Sequence, residues 1–87
     1  PQLKRLVIES EEVTRLPTSI KKLQKLMRLS ILCPKLVELP EDIGDLKKLY
    51  FLKIGKADFL EKLPKSITRL DLLTMVLGAC LRLYITS

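Results

Sequence analysis

Leucine and isoleucine return along this chain at fixed offsets. Leu-Pro pairs stand at Leu16-Pro17, Leu39-Pro40 and Leu63-Pro64. An isoleucine follows each pair, at Ile20, Ile43 and Ile67, and then a leucine, at Leu23, Leu46 and Leu70. Next comes an apolar run: Leu26, Leu29 and Ile31; Leu49, Leu52 and Ile54; Leu72, Met75 and Leu77. The chain opens on the same run, at Leu3, Leu6 and Ile8. The runs begin at Leu3, Leu26, Leu49 and Leu72, so one constant offset separates each from the next.

Within each run, alternation such as Leu6-Val7-Ile8 predicts a short strand. The proline that follows ends strand pairing, and Ser19, Asp42 and Ser66 are placed to cap a short helical turn through the isoleucine. In the third unit Phe59 or Leu60 points into the core. A Leu-x-x-Leu-x-Ile pattern with a period of about 23 residues is that of a leucine-rich repeat. The expected fold is an α/β repeat solenoid. Its short parallel strands would lie on the concave side, with short helical turns or loops on the convex side. The units run 1–25, 26–48, 49–71 and 72–87. Each buries apolar side chains at roughly 1.5 to 3 kcal/mol apiece, while ordering the backbone costs about 1 to 2 kcal/mol per residue. A single unit therefore does not fold alone, and stacked neighbours must share one core. No polar capping unit is evident, so the chain reads as a fragment of a longer repeat domain. The Leu-Pro proline returning with the repeat argues against the rival reading, a set of amphipathic helices, because each proline would interrupt a helix.

With the leucine columns inward, the residues between them face the concave side. One column is Arg5, Arg28, Phe51 and Thr74; the next is Val7, Ser30, Lys53 and Val76; the third is Glu9, Leu32, Gly55 and Gly78. Solenoids bind on that side. The candidate partner-binding residues are Arg5, Val7, Glu9, Arg28, Ser30, Leu32, Phe51, Lys53 and Lys56. Phe51 and Leu32, flanked by Arg28 and Lys53, have the make-up of a binding hot spot.

The net charge of +6 raises the question of nucleic acid. Most cations fall outside the apolar columns, as at Lys21, Lys22, Lys25, Lys47, Lys48 and Lys65, which fits a solvated outer face. Nucleic-acid stacking would want interleaved aromatics, and Tyr50-Phe51 is the single close aromatic pair. The chain has no histidine, hence no histidine base or metal ligand. The acidic turn at Glu9-Ser10-Glu11-Glu12 lacks the ligand spacing of a calcium loop. Gly55-Lys56 lacks the remainder of a phosphate loop. No catalytic, cofactor or metal residue is assigned, and an enzyme is not expected. Cys33 and Cys80 fall in units two and four, two strand spacings of ~4.8 Å apart, beyond disulfide reach. Two reduced cysteines suit a cytoplasmic or nuclear compartment. No apolar run reaches the length of a membrane span.

The string from Leu16-Pro17-Thr18-Ser19-Ile20 to Cys33-Pro34-Lys35-Leu36-Val37-Glu38-Leu39-Pro40-Glu41-Asp42-Ile43-Gly44 resembles the leucine-rich repeats of plant intracellular immune receptors. These disease resistance receptors join a nucleotide-binding switch domain to a C-terminal repeat domain. The Cys-Pro-x-Leu and Leu-Pro-x-x-Ile pieces are most similar to receptors with a coiled-coil or helical-bundle N-terminus. Ala57 stands where the third unit would carry cysteine, Cys33 comes one residue early, and the fourth unit lacks Leu-Pro. The resemblance implies a protein-interaction segment that contributes to pathogen recognition and autoinhibition. Its partners would be a pathogen effector, a guarded host protein or the receptor's own nucleotide-binding domain. ADP or ATP would bind elsewhere in the parent protein, with no cofactor in this segment. Intracellular signalling scaffolds of the Ras pathway share Leu-Pro-x-x-Ile-x-x-Leu and are the alternative.

Overall fold

A computed structural model describes residues 3–70, 74–78 and 84–85. Its main sheet is parallel, in the order β1 (Arg5–Glu9), β2 (Arg28–Leu32), β3 (Phe51–Ile54) and β5 (Thr74–Leu77). Two-residue strands β4 (Lys62–Leu63) and β6 (Tyr84–Ile85) form a second parallel pair. The register of the main sheet is the repeat offset itself. Leu6 lies beside Leu29, Leu29 beside Leu52, and Leu52 beside Met75. Parallel neighbours need a crossover between them. Here each crossover holds a turn, a Leu-Pro corner and a five-residue 3₁₀ helix: Thr18–Lys22, Glu41–Asp45 or Lys65–Arg69.

The core lies between the sheet and these helices. Leu26, Leu29, Ile31, Leu36, Leu46 and Leu52 are wholly buried, and Leu16, Ile20, Ile43, Leu49, Ile54, Leu60 and Leu63 join them. Along β2 half-buried residues alternate with buried ones, so Leu29 and Ile31 point inward while Arg28, Ser30 and Leu32 point away. In β1 the inward pair, Leu6 and Ile8, is only half-buried. Leu60 is buried while Phe59 remains 47% exposed, which decides the choice left open between them. Ala57 occupies the site that Cys33 holds one strand earlier. Both are buried, and their carbonyls accept the N–H of Leu60 at 3.2 Å and of Leu36 at 3.0 Å. The third unit thus absorbs one extra residue between Ile54 and Ala57 without disturbing the core.

The expected caps at Ser19, Asp42 and Ser66 are not formed. Pro17, Pro40 and Pro64 are the N-terminal flanking residues, and no side chain caps any of the three helices. Proline fixes φ in the range that a helix entry needs. Each proline carbonyl accepts the N–H of the isoleucine three residues on, at 3.3, 3.1 and 3.1 Å. Ser19, Asp42 and Ser66 therefore sit two residues past the cap position, inside the helices.

Ser66 has another task. It is buried, and its hydroxyl donates to the carbonyl of Glu41 at 2.6 Å, tying the third 3₁₀ helix to the second. Ser66→Ala should lower stability by about 0.5 to 1.5 kcal/mol. Thr68→Ala removes only a local, exposed bond to the Lys65 carbonyl and should stay within about 0.5 kcal/mol. Urea midpoints of the two variants check this; equal midpoints would show that the cross-link contributes nothing.

Candidate functional site

The face of the sheet turned away from the core is built by strand alternation. Every second residue of β1, β2 and β3 points there, and parallel pairing lines them up in rows. Arg5, Arg28 and Phe51 form the first row, and Val7, Ser30 and Lys53 the second. Glu9 and Leu32 are neighbours in the third. Eight of the nine residues expected on this surface thus share one face. Arg5, Val7, Glu9 and Lys53 are exposed, while Arg28, Ser30, Leu32 and Phe51 are half-buried.

Lys56 is the exception and a correction. It lies beyond the end of β3, where it is exposed, and its ammonium sits 4.0 Å from an Asp58 carboxylate oxygen. Gly55 continues the third row, its N–H donating to the Ile31 carbonyl at 2.8 Å. Lys56 therefore lies past the alternating residues of β3 and belongs to the turn.

Within the face the residues are coupled. The Arg28 guanidinium carbon sits 4.5 Å from the centroid of the Phe51 ring, within the range of a cation–π contact. The stack follows from the repeat: Arg28 and Phe51 hold the same place in successive units, so they are register partners across β2 and β3. The sequence placed both in one column, yet only packing brings the guanidinium over the ring. Leu32 leans over Gly55, where a Cβ would come within 2.8 Å of its Cδ2. The absence of a side chain at Gly55 leaves room there for Leu32 Cδ2.

Among the described residues, further concavities lie away from the sheet face. One of about 450 Å³ runs between the Leu-Pro corners and is lined by Glu38, Pro40, Glu41, Pro64 and Lys65 among others. Two more, of about 390 and 370 Å³, flank the exposed Phe59. Lys35 lines both of them, with Val37 and Glu61 in one and Pro34 and Asp58 in the other. Apolar spacing did not reveal the two beside Phe59, because their walls are turn residues outside the repeating columns, whereas the first lies between two of the repeating Leu-Pro pairs.

Cys33 is buried with a free thiol, and its Sγ lies 3.8 Å from the Ile8 carbonyl. Burial pushes the thiol above its ordinary pKa, against smaller opposing pulls from the Ser10 and Leu32 backbone. A protonated, buried thiol is a packing group rather than a nucleophile. The expected separation from Cys80 lies outside the described residues. Among the described residues no cluster of three His, Cys, Asp or Glu side chains could hold a metal ion. None of their helices is long and apolar enough to cross a membrane.

In comparison with known proteins, no family model matches this chain, and no curated protein matches it significantly.

Proposed function

We propose that this chain is a segment of a leucine-rich-repeat solenoid and that the outward face of its sheet binds a protein partner. The observation that carries this reading is the strand register, which follows the repeat. It sets Arg5, Val7, Arg28, Phe51 and Lys53 side by side on one accessible face. Such a surface offers charge and apolar area together, the mixture found at interaction hot spots. The resemblance in the Leu-Pro-x-x-Ile and Cys-Pro-x-Leu strings supports a plant intracellular disease resistance receptor as the parent. In that receptor the segment serves effector or guarded-protein recognition and autoinhibition, in the cytoplasm or nucleus. The segment is non-catalytic in this reading, and ADP or ATP binds in the separate switch domain.

The test is Arg28→Glu with Lys53→Glu in the full-length parent. Both side chains lie on the outward face, so abundance should stay normal. Constitutive signalling would mark a lost inhibitory contact, and a silent receptor at normal abundance a lost partner contact. In a Ras-pathway type of scaffold the same change would remove one captured partner without creating activity. Signalling and partner capture both at wild-type level would overturn the surface assignment.

A further inference from the structure

We propose that Arg28, held over Phe51 between Arg5 and Lys53, is a carboxylate clamp, and that its ligand is an acidic peptide segment carrying interspersed apolar side chains. The inference rests on reading the outward sheet face as the partner surface, and it names the chemistry that this surface selects.

Guanidinium is planar and stacks on an aromatic face, leaving the N–H donors at its rim to make a fork for a carboxylate. The Arg28 guanidinium carbon lies over the Phe51 ring, 4.5 Å from its centroid. The stack restricts a long side chain before any ligand arrives, so less freedom is lost on binding. Arg5 is the register partner of Arg28 on the β1 side. Lys53 stands two residues beyond Phe51 on the β3 side. Across the outward positions of β1, β2 and β3 these three cations face a single carboxylate, Glu9. The field of the face therefore favours an anionic ligand.

Apolar chemistry lies beside the charge. Val7 is 54% exposed, and Phe51 is half-buried with its ring beside Arg28. A ligand that places carboxylates on Arg28, Arg5 and Lys53 can lay aliphatic side chains on Val7 and Leu32. Glu9, at the far end of β1, repels carboxylates there and orients the ligand with its acidic part toward Arg5 and Arg28. A nucleic acid is the weaker fit. Single strands bind through successive aromatic platforms, and Phe51 is the one aromatic among the outward residues of β1, β2 and β3, already stacked with Arg28.

The experiment is fluorescence anisotropy of the chain with a short labelled peptide of glutamates interspersed with leucines. Circular dichroism of each variant monitors the fold. The glutamate peptide should bind, with affinity falling as salt rises, and its lysine counterpart should not. Arg28→Lys keeps the charge but removes the planar fork; Phe51→Leu keeps apolar area but removes the ring. Each should weaken binding about fivefold. Failure of the glutamate peptide to bind, wild-type affinity in either variant, or equally tight binding of single-stranded RNA would each overturn the clamp. If Arg28→Glu with Lys53→Glu alters signalling in the parent while Arg28→Lys and Phe51→Leu bind as wild type, the clamp fails and the surface reading stands. If the charge reversal leaves the parent unchanged, the surface reading itself fails.

Discussion

Leu52→Ala should destabilise the chain by about 2 to 5 kcal/mol. Leu52 is fully buried and sits in β3 with Leu29 beside it on one flank and Met75 on the other. Truncation removes apolar atoms from contact and leaves a cavity. Paired strands on both flanks hold the backbone apart, so the surroundings relax only in part. Lys48 is exposed, just before the same strand, and Lys48→Ala should change stability by no more than about 0.5 kcal/mol. Urea unfolding of the two variants separates the predictions. Equal free-energy losses would mean that the inward and outward faces have been exchanged, since a one-residue slip of register moves every side chain to the other face.

Gly44→Ala should also be strongly destabilising, by about 1 to 3 kcal/mol, although Gly44 does not adopt a positive φ. On conformational grounds alanine would be favoured there, by about 0.4 to 1 kcal/mol through the unfolded chain. Sterics oppose it. A Cβ on Gly44 would lie 2.5 Å from the Cβ of Ser66, 2.6 Å from its carbonyl oxygen and 3.0 Å from its carbonyl carbon. Two of these three atoms are backbone, so a rotamer change cannot relieve the clash. The second and third 3₁₀ helices would have to separate, which would also stretch the Ser66 bond to the Glu41 carbonyl. Ser66→Gly in the Gly44→Ala background should recover only part of the loss, because the carbonyl contact remains. A Gly44→Ala variant as stable as wild type in urea would show that the two helices have room to move apart.

The candidate face was legible because strand alternation is local. In Arg28-Leu29-Ser30-Ile31 the apolar positions declare which side is inward, and their neighbours must then point outward. Lys56 was misplaced because alternation ends with β3, and the extra residue before Ala57 shifts the turn. The caps were misplaced because Ser19, Asp42 and Ser66 are good capping residues by type, whereas proline at the preceding corner sets where the helix starts. Spacing could not choose between Phe59 and Leu60, since adjacent apolar residues in a turn satisfy the same column. Packing chose Leu60, which lies in the core while the Phe59 ring stays on the surface.

By itself, then, the sequence determined the repeat offset, the inward columns at Leu29, Ile31, Leu52 and Ile54, and the outward residues within β1, β2 and β3. Each of these follows from periodicity, which any one unit states and the next repeats. Only the tertiary structure decided what happens between units: the Arg28 guanidinium over the Phe51 ring, the Ser66 hydroxyl on the Glu41 carbonyl, and the close approach at Gly44. The physical reason is that these contacts join residues of adjacent sequence units, and their distances are set by how those units pack. A repeat period names the neighbours across two units, but side-chain volume and hydrogen-bond geometry settle how closely they meet.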